Sequence, residues 1–176
     1  MLLCGMRHIT LITTGGTIEK TYDERTGSLE NRRSIVRRMI ARLRLEDTEV
    51  NIIELMSKDS LLMTDEDRGR IVATVREAGA ASPKPDGIVV LHGTDTLTQT
   101  GERILREMFP PPVPVVLTGA MRPFEMKRSD ALQNLTEAIF AAGMLHAGVY
   151  CVAHGRALAF PGVVKDKEKG TFRKGA

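Results

Sequence analysis

The sequence predicts an α/β fold in three layers, a doubly wound and mainly parallel sheet with helices on both faces. Three observations lead there. Five short runs rich in Ile, Val and Leu recur along the 176 residues, segments with helical spacing separate them, and turns rich in Gly, Thr and Ser follow them. Near-continuous apolar strands are what a sheet covered on both faces requires. Strict alternation of strand and helix then selects parallel pairing through right-handed crossovers.

The expected strands are His8 to Thr13, Val50 to Leu55, Gly87 to His92, Val113 to Thr118 and Gly148 to Ala153. Ile35, Val36, Met39, Ile40 and Leu43 fall on one helical stripe with Arg opposite. Thr64 with Asp67 three residues on opens a second helix as a capping box, and Ser82-Pro83-Lys84-Pro85 follows it as a breaker. A third helix runs from about Leu97 to Met108, stopped by Pro110 to Pro112, and a fourth from Ser129 or Asp130 to about Leu145. Ser129 and Asp130 are expected as caps. The stretch 156–176 has a weaker pattern and many Lys and Gly, and is expected to be loop and tail of a single domain spanning 1–176.

Composition narrows the function. Hydrophobic residues make up 42% and charged residues 27%, values of a globular chain. Five Phe, two Tyr and no Trp leave little for a surface that stacks single-stranded bases. A net charge of +3 does not call for a polyanionic partner, although six Arg and no acid lie between Asn31 and Leu45. That face is expected to be solvated, and no nucleic-acid partner is expected. Cys4 and Cys151 sit in apolar runs and suit packing in a reducing compartment. No run approaches the ~18–20 apolar residues of a membrane span, so a cytoplasmic protein without membrane contact is expected. The sequon at Asn134 falls inside the fourth helix and is expected to be a chance match.

In an open parallel sheet ligands bind beyond the carboxyl ends of the strands. The residues there are Thr14-Gly15-Gly16-Thr17, Met56-Ser57-Lys58-Asp59-Ser60, Gly93-Thr94-Asp95-Thr96, Gly119-Ala120-Met121-Arg122-Pro123 and His154-Gly155-Arg156. Hydroxyls, carboxylates and glycine-rich backbone gathered on one edge suit nucleophilic acyl transfer, with Lys, Asp or His as the base that a threonine needs. The His and carboxylate spacings contain no metal motif, and neither GxxxxGK[ST] nor GxGxxG occurs, so no metal or cofactor is expected. His92, at a strand end, is expected to be a hydrogen-bonded structural residue.

Thr14-Gly15-Gly16-Thr17-Ile18, His92-Gly93-Thr94-Asp95-Thr96 and Gly119-Ala120-Met121-Arg122-Pro123, in this order and each at a strand end, resemble the L-asparaginase family of amidohydrolases in its bacterial type I and type II forms. The resemblance runs from about Ile9 to Lys165 and covers the amino-terminal domain of a two-domain member, a Rossmann-like or flavodoxin-like layer. It implies hydrolysis of L-asparagine to L-aspartate and ammonia. Thr17 matches the family's primary threonine nucleophile, Thr94 the second threonine, Asp95 its neighbour, and Lys165 the lysine that completes the set. Ser57 matches the serine that meets the substrate's α-carboxylate, with Gly16 and Asp59 beside it; Asp59 is divided between substrate and capping. Tyr22 lies in a loop that resembles the family's mobile flap and is implied to be catalytic. Lys58 stands where relatives place a polar glutamine, so it either points outward or lowers affinity.

The family closes this site with residues from a neighbouring subunit's carboxyl-terminal domain. A short enzyme that completes its site as a homo-oligomer, dimer or tetramer, is therefore expected, with a fragment or an inactive relative as the other outcomes. Two further functions stay open: an asparaginase-like subunit of a tRNA-dependent amidotransferase, with the Arg face on RNA, and a catalytically inert amino-acid-binding module. Asparagine and glutamine differ by one methylene, worth only ~1–3 kcal/mol in an apolar pocket. Composition cannot separate them.

Overall fold

A computed structural model describes residues 5–175, so Cys4 lies outside the described residues. The central sheet is built from β1 (Arg7–Gly15), β4 (Thr48–Lys58), β5 (Gly87–Leu91), β6 (Pro114–Thr118), β7 (Gly148–Ala153) and β8 (Arg156–Ala159). Its order is β4-β1-β5-β6-β7-β8, parallel throughout except for the last pair. Every residue of β5 and of β6 is buried, which explains why these strands read as unbroken apolar runs.

Period-two alternation divides the interior into two cores. On one face Ile12, Ile88, Val90, Val115 and Leu117 pack with Ile71, Val72 and Val75 of α2 (Asp65–Gly79) and Ile104 of α3 (Leu97–Glu107). On the other, Leu11, Val89, Leu91 and Val116 pack with Val36 and Met39 of α1 (Val36–Ile40) and Leu135, Ala138 and Ile139 of α4 (Ala131–Ala142). Burying each such side chain contributes ~1.5–3 kcal/mol. Cys151 belongs to the first core, and burial pushes its thiol up to about 12.

The capping box of α2 forms as its sequence predicts: Asp67 N–H donates to the Thr64 hydroxyl, and Thr64 N–H donates to the Asp67 carboxylate. The start of α4 differs from expectation. Ser129 does cap, accepting from Ala131 N–H at 3.1 Å, but the Asp130 side chain turns back to accept from the amides of Met121 and Arg122. It therefore holds the turn after β6 instead of the helix. Asn134 of the sequon is buried in α4, donating to Gly119 O at 2.8 Å.

The largest difference lies in 156–176, expected as loop and tail. β8 adds antiparallel to β7, and β9 (Val163–Asp166) pairs with β10 (Thr171–Lys174) in a hairpin of its own. These strands are four residues each, with polar faces outward, so the apolar pattern is too sparse to be read. Two side chains anchor the hairpin, Val163 at 3% and Phe172 at 2% exposure in the α2–α3 core. A second hairpin, β2 (Thr21–Asp23) with β3 (Ser28–Glu30), rises beyond the end of β1.

Removing the hairpin's anchor has a calculable effect. Phe172→Ala is expected to lower unfolding stability by ~3–5 kcal/mol, measured by urea denaturation.

Candidate active site

From β1 the chain moves outward to β4, then returns to the opposite side of β1 as β5. The crevice beyond β1 and β5 is therefore the topological switch point, where an open α/β sheet binds its ligand. Two glycines shape it. Gly16 has φ of 80°, and a Cβ placed there would lie 2.4 Å from both Gly93 Cα and Gly93 N. The two turns thus touch backbone to backbone, and the residue after each glycine is a threonine: Thr17, partly buried, and Thr94, 4% exposed. Thr14 and Thr118 brace neighbouring strand ends, donating to Leu91 O at 2.8 Å and Val152 O at 2.7 Å.

Lys165, on β9, enters from the far end of the sheet. Its Nζ donates to Thr94 Oγ1 at 2.8 Å and to Asp95 Oδ1 at 2.8 Å, and its side chain is only 17% exposed. The structure thus brings together Thr94, Asp95 and Lys165 across more than seventy residues of chain. Lys165 donates to the Thr94 oxygen, so the Thr94 proton is free to point elsewhere. That arrangement polarises a hydroxyl.

The remaining expected residues are placed differently. Tyr22 is not gathered into this cluster: it lies on β2, is 61% exposed, and its N–H donates to Glu125 Oε2 at 3.0 Å. Ser57 faces a cleft of about 290 Å³ shared with Lys20, Leu29, Asn31 and Asp59, where its buried hydroxyl has no hydrogen-bond partner. Asp59 accepts from Lys20 Nζ at 2.6 Å and from Leu61 N–H at 3.0 Å. The Lys20 bond is the main reason its carboxyl is held below the usual range. Lys58 lines the same cleft and pairs with Asp67 at 2.5 Å, which holds that carboxyl down to about 2.

Sequence reasoning missed several residues. Ser60 is 1% exposed and its hydroxyl is unpartnered; a Cβ on Gly93 would lie 2.5 Å from its Oγ. Of the two serines it is Ser60 that touches the turn bearing Thr94, and Thr96 Oγ1 donates to its carbonyl at 3.0 Å. Its place in the turn after β4 was the available signal. Asn31 reaches back from β3 to donate to Gly16 O at 2.8 Å, leaving its own Oδ1 unpartnered at the cleft. Glu19 is wholly buried, and that burial raises its carboxyl.

His92 is structural, as expected. A carbonyl only accepts, so Nδ1–H donates to Gly93 O at 2.8 Å, and Nε2 must then accept from the Thr100 hydroxyl at 2.8 Å. Complete burial lowers its value to about 4, and neither nitrogen is available to a substrate. The Arg segment is partly neutralised: Arg32 pairs with Asp23 and Glu30, Arg37 with Glu54 and Arg38 with Glu125, while Arg42 stacks on Phe124. Among the described residues, no group of three or more His, Cys, Asp or Glu could hold a metal ion, and no helix is long and apolar enough to cross a membrane.

Known proteins share this architecture. The family model for the amino-terminal domain of asparaginase matches residues 8–171. The chain belongs to the asparaginase family. An L-asparaginase of Thermococcus kodakarensis is 32% identical over 142 residues, 81% of this chain and 42% of the relative. A subunit of the glutamyl-tRNA(Gln) amidotransferase of Methanobrevibacter smithii is 35% identical over 150 residues, 85% of this chain and 34% of the relative. Among solved structures, the thermostable L-asparaginase from Thermococcus kodakarensis superposes with a TM-score of 0.81 at 30% identity, covering 95% of this chain and 51% of that one. A probable cytoplasmic L-asparaginase from Campylobacter jejuni gives 0.78 at 27% identity, covering 96% and 53%. The chain spans about a third to a half of the length of these relatives.

Two outcomes follow from the geometry. Gly16→Ala is expected to cost at least ~1–3 kcal/mol from its left-handed backbone alone, beyond the clash with Gly93, and is read by thermal unfolding. His92 in the folded chain refuses a proton that the unfolded chain accepts, so stability falls as pH drops from 6.5 to about 4. The loss is roughly 3 kcal/mol, and it is absent from a His92→Gln variant titrated in urea across that range.

Proposed function

We propose that the chain is the catalytic half of an L-asparaginase-type amidohydrolase, releasing ammonia from the side-chain amide of L-asparagine. The observation that carries this is the Lys165 contact with Thr94 and Asp95 beside the Gly16–Gly93 approach. Thr17 Oγ attacks the amide carbon, and its proton passes to the amide nitrogen, which leaves as ammonia. The ester on Thr17 is then cleaved by water, giving the aspartate carboxylate and restoring the hydroxyl. Thr94, polarised by Lys165, directs the proton or the water. Lys165 acts as an ammonium balanced by Asp95, which removes the cost of neutralising a lysine.

An amino acid amide also carries an α-ammonium and an α-carboxylate. Asp95 offers its second carboxylate oxygen to the ammonium, and the unpartnered hydroxyl of Ser57 at the cleft offers a donor to the carboxylate. The enzyme acts in the cytoplasm as a homo-oligomer. A second function is supported by the amidotransferase relative: the same amide cleavage, with the ammonia passed to a tRNA-bound acceptor. The ion pairs across the Arg segment argue for a weak RNA contact in that case.

The test is ammonia release from L-asparagine, L-glutamine and D-asparagine beside the mass in solution. Thr17→Ala and Thr94→Val are expected to abolish turnover, and Lys165→Met to lower kcat by about 100-fold or more. Wild-type rates in both threonine variants would sink the mechanism. Asparagine binding by calorimetry with no turnover would favour a binding module, and a salt-sensitive tRNA gel shift would favour the amidotransferase reading.

A further inference from the structure

One buried carboxyl group beside Thr17 plays no part in the chemistry above. Glu19 is 0% exposed and ends the 3-10 turn that begins at Thr17. Its carboxylate is surrounded by donors. Oε2 accepts from the Thr13 hydroxyl and from Gly15 N–H at 3.2 Å; Oε1 accepts from the Ser34 hydroxyl at 2.5 Å and from Ile35 N–H at 3.2 Å.

The two oxygens face different segments. Thr13 and Gly15 end β1, whereas Ser34 and Ile35 lead into α1. Between them lie residues 20–33, which carry the β2–β3 hairpin and Tyr22. A single carboxylate therefore joins the chain where it leaves for the hairpin to the chain where it returns. Two further bonds lie alongside, Asn31 to Gly16 O and Lys20 to Asp59.

A buried carboxylate is tolerated only when its lone pairs are satisfied. Here each oxygen receives one hydroxyl and one backbone amide. A hydroxyl can reverse its role, but a backbone N–H cannot. A side-chain amide, whose nitrogen only donates, would set a donor against either Gly15 N–H or Ile35 N–H. The arrangement demands two accepting oxygens at this depth.

We propose that Glu19 is a positioning residue for Thr17, fixing the Gly15–Gly16 turn by clamping it to Ile35 across the base of the hairpin. The inference rests on Thr17 being the nucleophile, and its consequence is specific. Loosening the clamp displaces Thr17 relative to Thr94 and frees the hairpin, so the chemical step suffers more than substrate binding. Misplacement of a reacting group by about 1 Å is enough for a fall on the order of 100-fold.

The experiment compares the wild-type chain with Glu19→Gln at a temperature where both are folded by circular dichroism, reading kcat and KM separately on L-asparagine. Fluorotyrosine is incorporated in parallel, because the chain has only two tyrosines, Tyr22 on the hairpin and Tyr150 on β7. The expected result is a kcat lower by about 10- to 100-fold, KM within about 3-fold, and a narrowed Tyr22 fluorine resonance beside an unchanged Tyr150 resonance. A lower melting temperature with unchanged kcat, or an unchanged Tyr22 resonance, overturns the proposal. If Glu19→Gln does not fold, Ser34→Ala removes one donor, keeps the carboxylate, and is expected to shift the same readouts less. If Thr17→Ala keeps full activity, the nucleophile assignment fails, and the fluorine spectra alone decide whether Glu19 holds the hairpin.

Discussion

Neighbouring turns at the end of a parallel sheet usually keep a side chain's width between them. Here Gly16 and Gly93 remove it, and the turn after β1 rests directly on the turn after β5. The approach extends to either side. A Cβ on Gly15 would fall 2.4 Å from Lys58 N, and one on Gly93 would fall 2.5 Å from Ser60 Cβ. Three chain segments, the turns after β1, β4 and β5, are thus stacked with no slack. Thr17 and Thr94, each following one of these two glycines, are brought near one another by this contact.

The charges around the crevice are paired with one another. Lys58 is drawn off to Asp67, Lys20 to Asp59, and Glu19 is enclosed by donors. Lys165 is the cation that touches a threonine of the pair, with Asp95 as counterion. The helix cap of α2 thus also serves as the counterion of Lys58.

The layered sheet and the threonine turns were legible because they obey local rules: unbroken apolar strands, capping boxes and glycine before a tight turn. Four helices and five strands fall close to their expected places for that reason. The rest depends on contacts distant in sequence. The buried apolar side chains of β9 and β10 are only Val163 and Phe172, and their other residues resemble loop. The packing of Ser60 against Gly93 could not be read from spacing, since it joins turns distant in sequence. Glu19 reads as an ordinary acid in a polar loop until Ser34 and Ile35 are folded against it. Asp130 looked like a cap because its position is one, yet its side chain serves the preceding turn.

The hairpin that delivers Lys165 has a consequence in time. Domains emerge from the ribosome amino terminus first, at ~5–20 residues per second. The threonines at the ends of β1 and β5, and the parallel strands that carry them, precede β9 in that order. The stacked glycines can therefore meet while the crevice still lacks its lysine. In the order of synthesis the threonine turns precede Lys165, whose bond to Thr94 joins the β9–β10 hairpin to the sheet edge.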